Sequence, residues 1–506
     1  MSIFRSYFNK NNTIVSNNYV NTGRNPVMQL NFGSDQQIIP PAGFSRFIFN
    51  LDLQPLIDKV ATGEISTGCT SFSGITHTLT MTNTSSFDEE LLNGYMSDGA
   101  RRATSFDLVL FRIPKVSGTT GDPQTWDEGV GYDYFPFDST RNSATGQLSP
   151  DVIFTDKAFS DRPSNWYQRS TIKNWSEYGI YSNTNSLTGL TGCNYSALTI
   201  VDVQHFEFGN EDINFDMTTE INSILEGTLT GVTGWGVAYV PQIENITGLT
   251  ENYSVAFFSR HTQTFYQPYL LTNYDDLIDD DRNTFTKGRI NKLYLYVYQN
   301  GDFTNLDDLP TVDILDGNGV VVPGLQNLTT CLKTKGVYEV SVPNDFGAYP
   351  VPCIFYDNWS DLVLNGESLP AVRNQFVLQP LQANVIIGSQ SQDPSKFVFS
   401  FYGINQDEKI LNTDIRKIGV VVKKAYSTNT VLQNVEAYYR VYVMEGQTEV
   451  QVQNWTKINR TPNEFYFIFD MRDKIPNEYF VDIRVNTSGE KDTYKKQLKF
   501  QIVNKK

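Results

Sequence analysis

The C-terminal fifth of the chain sets the tightest limit on what it can fold into. Six segments, KFVFSFYGIN, IGVVVKKAY, EAYYRVYVMEG, EFYFIFDM, YFVDIRVNTSG and KQLKFQIV, follow one another between residues 396 and 503. β-branched and aromatic residues dominate them, and several alternate apolar and polar side chains. A period of two places one face of a strand in a core and the other in water. Wound into a helix, the same residues would be scattered around its circumference. Short strands recurring every 8–12 residues or so, over roughly a hundred residues, are the pattern of an immunoglobulin-like sandwich.

The same texture extends upstream. INKLYLYVYQN, ILDGNGVVVPG, GVYEVSVP and NQFVLQP define a second module, and Asp316-Gly317-Asn318-Gly319 is a tight-turn signal between strands. Further toward the N-terminus, FSRFIFNLDL places Phe47, Phe49, Leu51 and Leu53 on one face, with Arg46, Asn50 and Asp52 chiefly on the other. GITHTLTMTNT, SFDLVLFRIP, GWGVAYV, YSVAFFSR and YQPYLLTNY read as further strands. Two short helical segments are expected, the second of them a turn or a helix. One has Pro55 in its first turn, and the other follows Asp216 and Thr218 and contains Ile221, Ile224 and Leu225. The fold class is therefore all-β. A jelly-roll domain over residues 25–281 is followed by immunoglobulin-like β-sandwich domains over 282–385 and 386–506. Residues 1–24 are Asn-rich, with Phe4, Tyr7 and Phe8 as sparse apolar anchors. They read either as a frayed terminus or as an arm that orders on a neighbouring subunit.

Composition narrows the function. Hydrophobic residues make up 40% and aromatics 13%, enough for real cores, whereas only 19% are charged. The net charge of −16 excludes a dedicated nucleic-acid binder, which needs a basic face. An acidic wall repels DNA, which suits a conduit that DNA must pass without sticking, although plain solubility is the commoner reading of such a charge. Cys69, Cys193, Cys331 and Cys353 lie far apart and form no CxxC, so free buried thiols are expected. The opening MSIFRSYFNKNNTIVSNNY has no apolar stretch of signal-peptide length, and no run of about 18 apolar residues occurs. Neither general secretion nor a membrane span is expected.

Candidate chemistry is sparse. The histidines, His77, His205 and His261, share no metal-ligand spacing. Ser259 and His261 could pair, but no nucleophile elbow accompanies them. Asp127 and Glu128 beside Trp126 could be a carboxylate pair acting on sugar, yet successive strand residues point to opposite faces. DDLIDDDRN, residues 275–283, could attract calcium but lacks the order of an EF-hand loop, and a solvated linker is expected. Exposed aromatic rings could stack on sugars, although core packing is the default for them. No catalytic, cofactor-binding or metal-ligating residue is assigned, no cofactor is expected, and the chain is not expected to be an enzyme.

The order SRFIFNLDLQPL, SFDLVLFRIP, TWDEGVGYDY, SNWYQRSTIKNW, INFDMTTEINSIL, GWGVAYV and SRHTQTFYQPYLLTNYD resembles the carbohydrate-binding-like jelly rolls called DNRLRE domains. That resemblance spans about half of the chain. It departs from the pattern at Arg260-His261, where the family often has an acid. The modular plan, together with the opening YFNKNNTIVSNNYVNTGRNPVMQLNFG, is similar to tail and collar proteins of crAss-like bacteriophages. This second resemblance implies a virion structural protein of the tail or neck, assembled in the host cytoplasm. It further implies a homo-oligomeric ring that contacts other neck and tail proteins, with DNA passing nearby without specific binding. The alternative is a carbohydrate-binding adhesin or receptor-binding module with a glycan as partner. A glycan-degrading enzyme would need an acid pair that the sequence does not reveal.

Overall fold

The computed structural model describes residues 2–16, 22–33, 44–69, 72, 74–84, 100–114, 125–128, 164–170, 173–176, 178–181, 199–244, 252–347, 349–380, 397–424, 436–461, 464–472, 474–487 and 490–504. Strands dominate, as the period-two texture requires, and they fall into two compact units. One comprises Ile3–Asp58 and Ile75–Asn273, and the other comprises Met1–Ser2, Lys59–Gly74 and Tyr274–Lys506.

The first unit is the jelly-roll sandwich. It uses β1 (Ser2–Val15), β2 (Val27–Gly33), β3 (Ser45–Leu51), β4 (Ile75–Met81), β5 (Ala100–Arg102), β6 (Phe106–Pro114), β7 (Gln168–Ser170) and β8 (Lys173–Asn174). These are followed by β9 (Ile200–Phe206), β10 (Ile213–Asp216), β11 (Val232–Tyr239), β12 (Asn252–Phe258) and β13 (Tyr269–Tyr274). An eight-stranded sheet runs β10-β4-β13-β1-β3-β11-β6-β9, and a three-stranded sheet runs β2-β12-β5. Aromatic rings join the two layers: Phe47 on β3 meets Phe257 on β12 at 6.1 Å, and Phe32 on β2 meets Tyr239 on β11 at 4.7 Å. Helices α1 (Gln54–Ala61) and α2 (Thr218–Leu225) stand where the sequence places them, and a short α3 (Pro241–Glu244) follows β11.

Two expectations are corrected here. Residues 1–24 are not a separate arm, because β1 lies inside the eight-stranded sheet and pairs antiparallel with β3, Thr13 opposite Phe47 and Asn11 opposite Phe49. Its polar residues Asn11, Asn12 and Thr13 are fully buried, which is why composition misreads the segment. The two amides find partners: Asn12 Nδ2 donates to Ser164 O (2.7 Å), and Asn11 Nδ2 donates to Gly23 O (3.2 Å). Nor does Arg46 lie on a wet face. Ile48, Val109, Phe111 and Ala238, on the sheet's other side, pack with Trp126, Trp166, Trp175 and Tyr181 from the turn-rich segments, so the sheet is buried on both faces. Arg46 enters that second layer fully buried and forms a bidentate pair with Glu244 at 2.8 and 2.7 Å.

The second unit holds two immunoglobulin-like sandwiches. Its first module contains β14 (Asn291–Tyr296), β15 (Tyr298–Gln299), β16 (Asp302–Phe303), β17 (Thr311–Asp316), β18 (Leu328–Thr334) and β19 (Val337–Val342). It is completed by β20 (Cys353–Ser360), β21 (Val363–Leu364), β22 (Glu367–Ser368) and β23 (Val372–Leu378). Six of these strands, in the order β14-β19-β18-β17-β20-β23, surround Phe285, Phe355, Trp359 and Phe376. Burying each such ring contributes about 1.5–3 kcal/mol. The Asp316 turn forms as expected, with Asp316 Oδ1 accepting from Asn318 N and Val320 N, both 2.9 Å.

The second module contains β24 (Phe397–Tyr402), β25 (Glu408–Leu411), β26 (Ile415–Lys424), β27 (Glu436–Glu445) and β28 (Thr448–Lys457). To these it adds β29 (Asn459–Arg460), β30 (Phe465–Asp470), β31 (Glu478–Thr487) and β32 (Glu490–Val503). Sheet β24-β26-β30-β29 packs on sheet β25-β32-β31-β27-β28, with Tyr439 stacked on Phe467 at 4.0 Å and Phe469 against Phe500 at 5.8 Å. The boundary expected between residues 385 and 386 lies outside the described residues.

Lys59–Gly74 belongs to the second unit although the sequence reading placed it in the jelly roll. Cys69 of that segment is bonded to Cys331 on β18, with Cα atoms 5.1 Å apart, so these two are not the free thiols expected. The bond joins positions 262 residues apart, a pairing that spacing alone gives no hint of. Cys353 is a free thiol, and Cys193 lies outside the described residues.

Candidate functional site

Two motifs that looked unrelated in sequence meet in the jelly-roll unit. Trp126 is fully buried, donates Nε1–H to Thr233 O (3.2 Å), and anchors the turn that carries Asp127 and Glu128. The Asp127 backbone is tied on both sides: its N–H donates to Arg169 O, and its carbonyl accepts from Ser164 N, both 2.9 Å. Glu128 then faces the loop after β12. Its Oε1 accepts from Arg260 Nε (2.7 Å), Asn11 N (2.9 Å) and His261 Nε2 (3.2 Å), and its Oε2 accepts from Arg260 NH2 (3.0 Å). Arg260 N–H closes the ring by donating to Asn11 Oδ1 (3.1 Å).

This geometry decides between the chemical readings of both motifs. Asp127 is exposed, whereas Glu128 is half-buried and both its oxygens are taken by Arg260, so the two are not a free acid pair. Ser259 is fully buried; its hydroxyl donates to Asn25 O (2.5 Å) and accepts from His261 N (3.0 Å). The hydroxyl proton is thus committed to a carbonyl, while the imidazole faces Glu128 instead. A base that cannot reach the hydroxyl cannot activate it. What the cluster does is clamp: a bidentate Arg–carboxylate pair fixes β1, the Trp126 turn and the loop after β12 to one another. Arg260 stands where the resembled family often has an acid, and the acid that answers it is Glu128.

The acidic segment is not a solvated linker. In the second unit Asp280 and Asp281 are buried, and each carboxylate has a basic partner. Asp279 binds Lys457 (2.7 Å) and Arg460 (2.6 Å), and Asp281 binds Arg289 and Arg460 (both 3.0 Å). Asp280 accepts from Arg282 N (2.9 Å), capping a 3-10 turn at Asp281–Asn283, and pairs with Arg282 NH1 (2.9 Å). Arg282 also reaches the fully buried Asp357 on β20 (2.6 Å). Burial pushes the Asp280 carboxyl up to about 6, against the pull of Arg282. Burial also opposes ionisation of Asp279, yet Arg460 and Lys457 hold it below the usual carboxylate range. Backbone bonds complete the joint between the two modules: Arg460 N to Ile278 O (2.8 Å) and Asp280 N to Arg460 O (3.1 Å). Protein cations thus occupy the places around these carboxylates that calcium would need. Among the described residues no group of three or more His, Cys, Asp or Glu side chains is placed to hold a metal ion.

The three histidines stay separate. His205 is exposed between Asp107 (2.7 Å) and Glu207 (3.1 Å), whose hydrogen bonds raise its pKa. His77 is fully buried; its Nε2 donates to Asn222 Oδ1 (3.1 Å), which leaves Nδ1 to accept from the Thr272 hydroxyl (2.8 Å). Burial lowers its pKa to about 4. An unfolded histidine takes its proton near pH 6.5, so between about pH 6.5 and 4 the unfolded chain binds a proton that the folded chain refuses. The neutral ring's stabilisation is full above that window and is lost as pH falls through it. The jelly-roll unit should lose about 2–3 kcal/mol between pH 7 and 4.5 from this group. Thermal melts of wild type and His77→Gln at both pH values check this: the variant should show the smaller pH dependence, and equal slopes would refute the assignment.

One further feature concerns assembly. Strand β28 ends the five-stranded sheet and pairs only with β27 among the described residues, Val450 opposite Val443 and Gln451 opposite Tyr442. Thr448–Gln451 is exposed throughout. Its outer edge therefore presents backbone donors and acceptors that another strand could take up.

No family model matches the sequence, and no curated protein matches it. Among solved structures it is similar to the titin domains z1z2 in complex with telethonin, at 11% identity over 44% of this chain and 91% of that one, with a TM-score of 0.14. It is also similar to Dpr2 Ig1-Ig2 in complex with DIP-Theta Ig1-Ig3, at 12% identity over 44% of this chain and 94% of that one, TM-score 0.14. A third similarity is to Salmonella alpha-2-macroglobulin reacted with methylamine, at 11% identity over 50% of this chain and 18% of that one, TM-score 0.16. These likenesses bear on neither function nor partner. The chain is an all-β protein of sandwich modules, immunoglobulin-like in its second unit.

Proposed function

We propose that this chain is a non-enzymatic structural protein of a bacteriophage virion, which assembles with copies of itself into a ring in the neck or tail. The resemblance read from its modular plan and opening segment, to tail and collar proteins of crAss-like phages, supports the location, and the edge of β28 supports the assembly. Strand addition at such an edge supplies backbone hydrogen bonds without any special side chain, and repeated head to tail it closes a ring. The net charge of −16 fits a wall that DNA passes without binding. The carboxylates that could have suggested chemistry, Glu128 and Asp279 to Asp281, are engaged by arginine and lysine in holding the fold.

Light scattering after size exclusion tests the reading. The full chain should elute as a closed multiple of its 57.4 kDa. Val450→Pro and Gln451→Pro should then be compared, because neighbouring backbone N–H groups point to opposite sides of a strand. The variant whose lost N–H faces outward should fall to monomer with its melting temperature nearly unchanged. The other should melt earlier, through lost pairing with β27. A wild-type chain that stays at 57.4 kDa at high concentration would overturn self-assembly through this edge.

A further inference from the structure

In the second unit a cleft of about 410 Å³ opens between the two immunoglobulin-like modules. One wall is made by a short two-stranded hairpin. Tyr298 pairs with Phe303 and Gln299 with Asp302, and the two-residue turn between them is Asn300-Gly301. Both turn residues have positive φ, +54° and +92°, which an Asn-Gly pair adopts readily and which matches the twist of a tight hairpin. This turn sets Tyr298 and Phe303 side by side, ring centroids 4.2 Å apart, on the wall of the cleft. They are 57% and 38% exposed, so two adjoining aromatic rings face solvent rather than a core.

The opposite wall is polar and electrically balanced. Lys417 on β26 lies 4.0 Å above the ring of Tyr466 on β30 and is ion-paired with Glu464. Glu464 also accepts from the hydroxyl of Tyr402, whose ring lies flat over Gly419, where a Cβ atom would meet it at 1.8 Å. Gly419 thus lets Tyr402 lie down and hold the carboxylate in place. On the hairpin's own module, Asn374 of β23 adds an amide to the lining, both donor and acceptor. Arg282, which also lines the cleft, is neutralised by Asp280 and Asp357.

We propose that this cleft binds a neutral glycan, with a pyranose face against Tyr298 and Phe303 and hydroxyls on Lys417, Glu464 and Asn374. The volume lies in the range of small-ligand sites, and the apolar rings with a few convergent polar groups are what such a site needs. Because every charge lining the cleft is paired, an anionic ligand gains nothing there. An ammonium beside a carboxylate offers a donor and an acceptor to adjacent hydroxyls. A proline-rich peptide, the other ligand that lies on aromatic rings, presents only carbonyl acceptors and would leave Glu464 unused. The inference rests on the second unit alone and is independent of assembly at β28.

Calorimetric titration of the full chain with maltose, cellobiose, lactose and N,N′-diacetylchitobiose tests it. At least one should bind saturably, and Tyr298→Ala and Phe303→Ala should each weaken that binding about tenfold. Lys417→Met, on the other wall, gives an independent readout if an aromatic variant melts early. Phe265→Ala, which removes a ring 74% exposed in the other unit, should leave binding unchanged. Absence of saturable binding to all four sugars overturns the proposal, as does binding that survives the cleft substitutions. Binding of a decaproline peptide in place of the sugars, lost in Tyr298→Ala, would reassign the cleft to a peptide.

Discussion

Deletion of residues 2–15 will abolish the cooperative unfolding of the jelly-roll unit and will not leave an intact subunit that has merely lost a contact. β1 lies between β13 and β3 in the eight-stranded sheet, so its removal opens the sheet in the middle. Phe8, Ile14 and Val15 are buried, and Phe8 stacks on Phe49 at 4.4 Å. Burial of those three side chains alone contributes about 5–9 kcal/mol, comparable to the whole stability of a typical domain. The loss of β1's ladder with β3, and of the Asn11 and Asn12 hydrogen bonds, adds to this. Calorimetry of the truncated chain should show the transition of the second unit and none for the first, with strong binding of a hydrophobic dye. A truncated chain that keeps both transitions at their original temperatures would restore the reading of residues 1–24 as a separate arm.

The second large effect concerns Arg46 and Glu244. Both side chains are wholly buried; besides its two bonds to Glu244, Arg46 donates to the carbonyls of Gly179 and Tyr181. Its guanidinium lies 3.5 Å from the centre of the Tyr181 ring. Burial pushes the Glu244 carboxyl up, and Arg46 opposes that. Glu244→Ala leaves a buried guanidinium without its counter-charge, which should destabilise the unit by about 3–5 kcal/mol. For a unit of this size the melting temperature should drop by about 6–20 °C. The double variant Arg46→Met with Glu244→Leu should lose far less than the sum of its single variants, because it removes both charges together. Additive losses would mean that the pair is not coupled as its geometry requires.

Taken residue by residue, what the sequence showed and what it hid divide along one physical line. The period-two alternation of segments such as GITHTLTMTNT and KQLKFQIV pointed to the all-β class, because which face a side chain takes is a local property of an extended backbone. Local signals also held for α1 with Pro55, for Thr218 at the start of α2, and for the Asp316 turn. Whether a polar residue is wet or buried is not local. Asn11, Asn12 and Thr13 look like a solvated tail until Ser164, Gly23 and the neighbouring strands enclose them. Asp279 to Asp281 look like a linker until Arg460 and Lys457, about 180 residues away, neutralise them. Glu128 meets Arg260 across 132 positions, and Cys69 meets Cys331 across 262. Asp357 carried a faint signal, a carboxylate at the inward position between Phe355 and Trp359, which Arg282 and the Trp359 indole N–H satisfy. The sequence by itself determined the strands and the sandwich class. Tertiary structure alone decided which charges are paired, because desolvation and pairing depend on groups that the chain brings together only when it folds.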